Sequence, residues 1–471
     1  MNGWILISGV LIPLLGSLLL PLCARTSYKF RNITALVLVA SAFVCGAFAL
    51  VSLITGEPLS VRYELPLGLS FGFCGDALAV FMALTASFVS FIIVLYSFGY
   101  IKEYENQNEY YMIVCMFIGA MMGLVYSTNL ILIYTFWELS SFSCWRLIGF
   151  YREEITINRA NKAFIVTVFG ALFMLIGFIG IYGQTGTFEL TAMKGVSIAP
   201  WIVVLILFGI LSKSATFPLH SWLPDAGVAP SPVTSLLHAA VLVKIGVYAY
   251  ARLFVLTFNI KEEFTTVVPI IAAVSALYSA GVAFRENDLK RVLAYSTISQ
   301  LAFILLGLSC GDKTGLVGGL LYILAHSVAK GGLFLCAGIV EHKLHTKDIT
   351  KMGGLAKTMP FTAVAFALCA FSIMGIPPFF GFFAKHMVID GIISSGNIVI
   401  GVLFILCAVM TVMYLLRLYA KVFLGPQTFP DKKEGTPIMV VSVMALGIMS
   451  LLLGIFSFIP SRLAEMVLEV M

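Results

Sequence analysis

The sequence predicts an all-α polytopic membrane protein of about fourteen transmembrane helices, and three observations carry that prediction. Only 11% of its 471 residues are charged, against about 25% in a soluble globular chain. Mean hydropathy is +1.02, and the apolar residues fall into runs of about 18–25, the length that crosses a bilayer as helix; barrel strands would be about ten residues long and alternating. The basic residues, finally, segregate by loop once the spans are drawn.

The spans run roughly 4–23, 33–54, 75–98, 110–126, 129–150, 164–183, 200–217, 231–254, 265–283, 292–309, 316–339, 361–388, 396–420 and 437–459. The first lacks a basic lead-in and a small-residue cleavage site, so it reads as a retained helix and not a signal peptide. Spans one to three and the last carry few internal polar groups. Only YSTN at 126–129 divides the fourth from the fifth. Span 200–217 carries Lys213 just before ATFPLHSWLP, and 361–388 contains Pro377-Pro378 in GIPPFFGFFAK, which runs into Lys385. Seventeen Lys and Arg lie in loops after odd-numbered spans, against four (Arg62, Lys194, Lys261, Lys313) after even-numbered ones. By the positive-inside rule the odd loops are cytoplasmic and both termini lie outside, in a cell membrane crossed many times.

Two helices that pair a breaker with a lysine lie five spans apart, and an odd separation inverts one relative to the other. The pattern predicts two inverted five-helix repeats, about 110–254 and 265–420. Segmentation follows: peripheral helices in 1–100, a first repeat in 101–258, a second in 259–424, and a last helix in 425–471.

Several classes are excluded. The net charge of +6 resides in short loops and is no nucleic-acid signal. Nine cysteines are scattered through apolar runs with no CxxC, which gives neither a metal set nor a disulfide framework. No GxGxxG, P-loop or HExxH is present, so no cofactor or metal is expected.

What remains is a set of titratable groups in apolar helices, where each is costly and therefore points to an ion path. Glu138 is the one acidic residue deep in a span and is expected to pair with an intramembrane lysine. Lys213 lies about thirteen residues into its helix, about 20 Å deep, and Lys244 is equally central in 231–254. His326 and Lys330 are four apart and share a helix face, the pattern of a proton relay. Lys385 follows the second breaker, close enough to a span end that snorkelling competes with a carrier role. Auxiliary candidates are His238, six positions before Lys244 and within reach of it through a water; His220 and Asp225, which shape a mouth or cap a helix; and His386, an exit-side partner. Asp76 reads as a helix cap, Arg146, Arg252 and Arg417 as anchors or loop pairs, and His342 and His345 as surface. The 218–230 connection has no Lys or Arg, which would suit proton access.

At FWELSSFSCWRLIG, GILSKSATFPLHSWLPDAGVAPSPVTSLLHAAVLVKIGVY, LAHSVAKGGLFLCAG and GIPPFFGFFAKHMV the chain closely resembles the antiporter-like family. That family comprises proton-pumping membrane subunits of respiratory complex I, large subunits of multisubunit Na+/H+ antiporters, and relatives in membrane-bound hydrogenases and formate hydrogenlyase. The resemblance covers about residues 70–420. It implies fourteen helices, inverted repeats with broken helices, and a hydrated polar axis. On that axis Glu138 resembles the interfacial glutamate, Lys213 the central carrier, Lys244 the link, His326 and Lys330 the second-half relay, and Lys385 the terminal carrier. Many members carry a histidine where this chain has Gly227, so a histidine-mediated or sodium-linked contact at that mouth does not carry over. The chain stops at 471 without a long lateral helix, which resembles a compact middle-type subunit.

The expected function is a non-catalytic, proton-translocating subunit of a redox-driven complex, of quinone-reductase or hydrogenase type. The alternative is a subunit of a multisubunit Na+(K+)/H+ antiporter without a redox partner; a scaffold with a vestigial axis is the third reading. Expected partners are neighbouring antiporter-like membrane subunits, a redox module and lipids, with no nucleic acid.

Overall fold

The computed structural model describes residues 3–64 and 70–469. Sixteen principal helices run in the order α1 Trp4–Thr26, α2 Tyr28–Ile54, α3 Ala77–Tyr100, α4 Gln107–Tyr126, α5 Leu130–Ile148, α6 Glu154–Thr185, α7 Pro200–Lys213, α8 Ser231–Val255, α9 Phe264–Arg285, α10 Leu289–Ser309, α11 Lys313–Leu344, α12 Pro360–Met374, α13 Phe380–Ser394, α14 Ile398–Phe423, α15 Pro437–Ile455 and α16 Phe458–Leu468. Among the described residues, eleven helices are long and apolar enough to cross a membrane. The protein is an all-α polytopic membrane protein.

Local chemistry fixes the helix ends. Asp76, Asn129, Asp288 and Asp312 cap α3, α5, α10 and α11, each side chain accepting a backbone N–H two or three residues on, as a short acceptor at the N-cap does. Proline opens α7, α12 and α15, where its missing N–H costs nothing. Each predicted span falls on a helix. The main length error is in α6, which begins ten residues early because the polar turn from Glu154 continues the helix below the apolar run.

The two predicted breaks are real, and their geometry corrects the reading of the lysines. Helix α7 ends at Lys213, so that residue sits where the helix unwinds and not inside a continuous span. Trp222 Nε1 donates to the freed Ser212 carbonyl at 3.0 Å, and Ser275 Oγ accepts from Phe217 N at 3.1 Å. Such replacement partners make non-helical backbone tolerable inside a bundle. The second break separates α12 from α13, with Gly375 at φ +78° ending α12. Helix α8 is irregular as well: residues 236–240 form a π turn, and Val241 leaves helical geometry just before Lys244. No sequence signal marked that kink.

Strands β1 Ser60–Glu64 and β2 Ser70–Cys74 form an antiparallel pair between α2 and α3. A short parallel pair, β3 Val196–Ser197 with β4 Phe258–Asn259, ties two loops. Neither was expected from a segment read only for helical spans.

Burial places the site. Residues 231–254 of α8 are all buried, as are 292–309 of α10, and α11 is nearly so over its central three-quarters. Helices α1, α2, α6, α9 and α14 instead present a large apolar face outward, including Leu15, Ile54, Ile165 and Val399. Lys244, His326 and Lys330 therefore lie where α8, α10 and α11 meet, in the most buried part of the chain.

Candidate functional site

Five lysines are buried; Lys290, 1% exposed, pairs with Glu341 at 2.5 Å, and the other four are Lys213, Lys244 and Lys330 at 0% exposed and Lys385 at 4%. Among the described residues no carboxylate lies within 4.0 Å of any of these four. Neutral acceptors hold them instead. Lys213 Nζ, released by the end of α7, donates to Ser141 Oγ on α5 at 2.7 Å and to the Trp137 carbonyl at 3.3 Å, and lies 5.3 Å from the Trp137 ring. A side chain at Gly246 would meet the Ile210 carbonyl at 2.8 Å, so glycine there lets α8 pass against the unwound end of α7.

Lys244 and His326 are in direct contact, Nζ to Nδ1 at 2.5 Å. One turn along α11, Lys330 Nζ donates to Ser296 Oγ and to the Leu293 carbonyl of α10, the latter at 3.1 Å. His326 and Lys330 share a helix face as expected but serve different neighbours, α8 and α10. Lys385 Nζ donates to the Ile373 carbonyl across the second break at 2.7 Å and sits 4.7 Å from the Phe303 ring and 5.6 Å from that of Tyr322. Its burial in the middle of α13 removes the snorkelling reading.

A cluster that sequence reading missed joins these groups. Tyr322, one turn before His326, donates to Gln300 Oε1 at 2.5 Å. Gln300 Nε2 donates to Tyr414 Oη at 3.1 Å and Thr411 Oγ1 at 3.2 Å. Gln300 also stands one turn from Ser296, the acceptor of Lys330. Serine, threonine and tyrosine are too common in apolar helices to stand out, but Gln300 is the one glutamine deep in an apolar run. It was the available signal.

Three expected relationships take a particular form in the structure. Glu138 is half-buried on α5, hydrogen-bonded to Tyr134 with its Oε1 unpartnered, and interacts with Lys213 through charge without an ion pair inside 4.0 Å. His238 makes no direct hydrogen bond to Lys244, whose direct partner is His326; it packs 4.5 Å from the Phe334 ring with both nitrogens lacking a protein partner. The 218–230 connection is basic in space though not in sequence. Asp225 pairs with Lys162 at 2.7 Å and Arg291 at 3.1 Å, cations supplied by α6 and α10. Partial burial pushes the Asp225 carboxyl up, but hydrogen bonds and charge from Lys162 and Arg291 outweigh it and leave it below its ordinary value.

His220 is nearly buried among Phe217 and Tyr278 with Nδ1 unpartnered. His386 is exposed beside Phe382, away from the amines. Gly227 has room for a larger side chain, with Lys290 Cβ the nearest neighbour at 3.7 Å. The anchors pair as read: Arg252 holds Asp76, Arg146 holds Glu109, and Arg417 donates to the Glu286 carbonyl and Asn287 Oδ1. All nine cysteines are free, six of them buried.

Fold and site together define a polytopic membrane protein with a buried line of amines, imidazole and hydroxyls. The chain belongs to the NADH:quinone oxidoreductase/Mrp antiporter transmembrane family, whose model matches residues 127–411. Residues 65–111 match a second model, NADH-ubiquinone oxidoreductase (complex I), chain 5 N-terminus. It is 35% identical over 451 residues to the A-type subunit of the Na(+)/H(+) antiporter of Alkalihalophilus pseudofirmus, covering 87% of this chain and 55% of that protein. Identity to the A1-type subunit of the Staphylococcus haemolyticus Na(+)/H(+) antiporter is 33%, over 86% of this chain and 54% of the relative. The chain thus spans about half the length of these curated relatives. In fold it matches a chain of the Mrp complex from a Dietzia species at TM-score 0.90 and 22% identity, covering 99% and 96% of the two chains. It matches a chain of an archaeal membrane-bound sulfane sulfur reductase at TM-score 0.89 and 23% identity, covering 99% and 97%.

Proposed function

We propose that this chain is the ion-translocating membrane component of an antiporter complex built from several subunits, moving protons along Lys213, Lys244, His326, Lys330 and Lys385. The observation that carries this reading is the set of four buried amines held by neutral acceptors with no carboxylate within 4.0 Å. A structural ion pair would need a compensating anion, because an unpaired buried charge costs several kcal/mol. Amines kept without one are placed to gain and lose protons. The 35% identity to the A-type component of an Na(+)/H(+) antiporter supports coupling to a cation gradient in preference to electron transfer. A redox-driven complex is the second reading, favoured by the quinone oxidoreductase part of the family description.

In this reading the chain crosses a cell membrane fourteen times with both termini outside, and 101–258 and 259–424 are inverted repeats between the peripheral helices of 1–100 and the last helix of 425–471. Helices α7 and α12–α13 are the matching broken helices. Partners are further membrane subunits. Glu138, on an outward face of α5, meets one of these neighbours and acts on Lys213 through the field of its charge and not by contact. His220, His238, Asp225 and His386 are auxiliary.

Membrane vesicles bearing the complex test this. Lys213→Ala and Lys385→Ala, with assembly verified, should each abolish gradient-driven proton movement. Wild-type movement in both would overturn translocation by this chain. Sodium-driven proton movement without reductant supports the antiporter; a strict requirement for reductant supports the redox reading.

A further inference from the structure

The first 56 residues carry three cations, Arg25, Lys29 and Arg31, and no Asp or Glu. All three lie at the turn between α1 and α2. Arg31 is 1% exposed, and among the described residues no carboxylate lies within 4.0 Å of it. Amide oxygens hold it instead. Its Nη1 donates to Asn108 Oδ1 at 2.6 Å, its Nη2 to Gln107 Oε1 and Asn32 Oδ1 at 2.7 Å, and its Nε to Asn32 Oδ1 at 3.1 Å. The rings of Tyr28 and Tyr111 lie 5.3 and 4.9 Å from the guanidinium carbon. Gln107 and Asn108 open α4, so the guanidinium stands at the N-terminal ends of both α2 and α4, where free N–H groups favour an anion and not a further cation. Arg25 and Lys29 are exposed and form no ion pair among the described residues. The Lys102 carbonyl accepts from Gln107 Nε2 at 2.9 Å, which brings the 101–106 loop and its exposed Lys102 to the same rim. Of the two acids in that loop, Glu103 pairs with His342 at 3.1 Å, leaving Glu105 against four cations.

A buried charge with no counter-charge inside the chain calls for one outside it. We propose that the α1–α2 turn binds the headgroup of an anionic phospholipid, with Arg25 and Lys29 on the phosphate oxygens and Arg31 and the two helix N-termini supplying fixed positive field behind them. In the reading with both termini outside, this turn is cytoplasmic, and basic pockets between helices on that side are where anionic headgroups bind. Leu18 and Leu22 of α1 and Phe30 and Ile33 of α2 are half exposed or more beside the turn, a surface for the acyl chains. Tyr28, 68% exposed, sits at headgroup depth as interfacial tyrosines do.

The net charge of the lipid decides the match. A zwitterionic headgroup brings its own ammonium, which this cluster repels, whereas an anionic one brings an uncompensated negative charge. Free phosphate would satisfy the cations but leave the flanking apolar surface uncovered. A neighbouring membrane helix fits the face less well, because helices pack in lipid through small and polar residues, and the outward residues here are large aliphatics and aromatics.

The test uses vesicles bearing the full complex and two probes, phosphatidylglycerol and phosphatidylcholine with the same photoactivatable acyl chain, with labelled peptides located by mass spectrometry. Labelling within residues 18–37 should be about fivefold stronger with the phosphatidylglycerol probe, and should fall about fivefold when Arg25→Gln and Lys29→Gln are combined. Arg25→Lys should keep it, and added inorganic phosphate should leave it unchanged. Equal labelling by the two probes, or wild-type labelling in the double variant, overturns headgroup recognition. Loss of labelling to inorganic phosphate would mark a soluble-anion site and overturn the lipid reading. Absence of labelling by either probe would mean that a neighbouring subunit covers the face, which also overturns it. If the double variant fails to assemble, Lys29→Gln alone decides by the same comparison.

Discussion

Lys244 Nζ and His326 Nδ1 lie 2.5 Å apart, joining α8 to α11 across 82 positions of sequence. An ammonium has donors only, and a doubly protonated imidazole likewise. The contact therefore exists with one excess proton or none, and never with both groups charged. It behaves as a single-proton site shared by two helices.

Replacing either partner should break that sharing. His326→Leu and Lys244→Met are each expected to cut gradient-driven proton movement at least tenfold with assembly intact, and the double variant should lose no more than the worse single one. Flux in vesicles checks this, and additive losses would show that the two act separately.

The Ser141 contact to Lys213 positions the amine without being titratable near neutral pH. Ser141→Ala should leave the Trp137 carbonyl as the remaining acceptor and cost about 1 kcal/mol of stability, the usual net worth of a hydrogen bond. Proton movement should slow several-fold and not vanish. Complete loss, equal to that of Lys213→Ala, would mean the hydroxyl itself is on the path.

Asp76 and Arg252 test structure apart from transport. Asp76 caps α3 and accepts both guanidinium nitrogens of Arg252, which is itself held by Tyr248 at 3.0 Å. Asp76→Asn leaves an unpaired, largely buried guanidinium and should destabilise the folded chain by about 3–5 kcal/mol. Asp76→Asn with Arg252→Met should recover part of that loss, read from thermal unfolding of the purified complex.

The Asp225 clamp predicts an acid dependence. Its carboxyl is held below its ordinary value, so its contribution is fully present above the unfolded pKa of about 4 and is lost as pH falls through the lower folded value. Asp225→Asn should therefore lower the melting temperature by a similar amount at pH 5 through pH 8, with the difference shrinking below about pH 4. A difference that grew on acidification would contradict the assignment.

Much of the helix pattern was legible because bilayer-length apolar runs need no tertiary context, and the lysines stood out because charge in such runs is rare. What the sequence hid is whatever depends on which helices touch. Asp225 looked unopposed because its cations come from residues 162 and 291. The direct contact of Lys244 to His326 lies across 82 positions and depends on α11 packing beside α8, so nothing along α8 signals it. Glu138 and Lys213 come from different helices, so neither segment signals that their charges interact without an ion pair inside 4.0 Å. Gln300 and Tyr322 became interpretable only once α10, α11 and α14 were seen to converge.

Backbone carbonyls hold three of the four amines: Trp137 for Lys213, Leu293 for Lys330 and Ile373 for Lys385. A carbonyl oxygen takes no proton of its own, and it accepts from –NH2 as well as from –NH3+. Each lysine thus keeps its mooring whichever form it is in, whereas a carboxylate partner would release the neutral form and grip the charged one. The cradle is indifferent to charge. Discharging such an amine requires no side chain to swing away and none to swing back, so the scaffold can stay still while its protonation pattern changes.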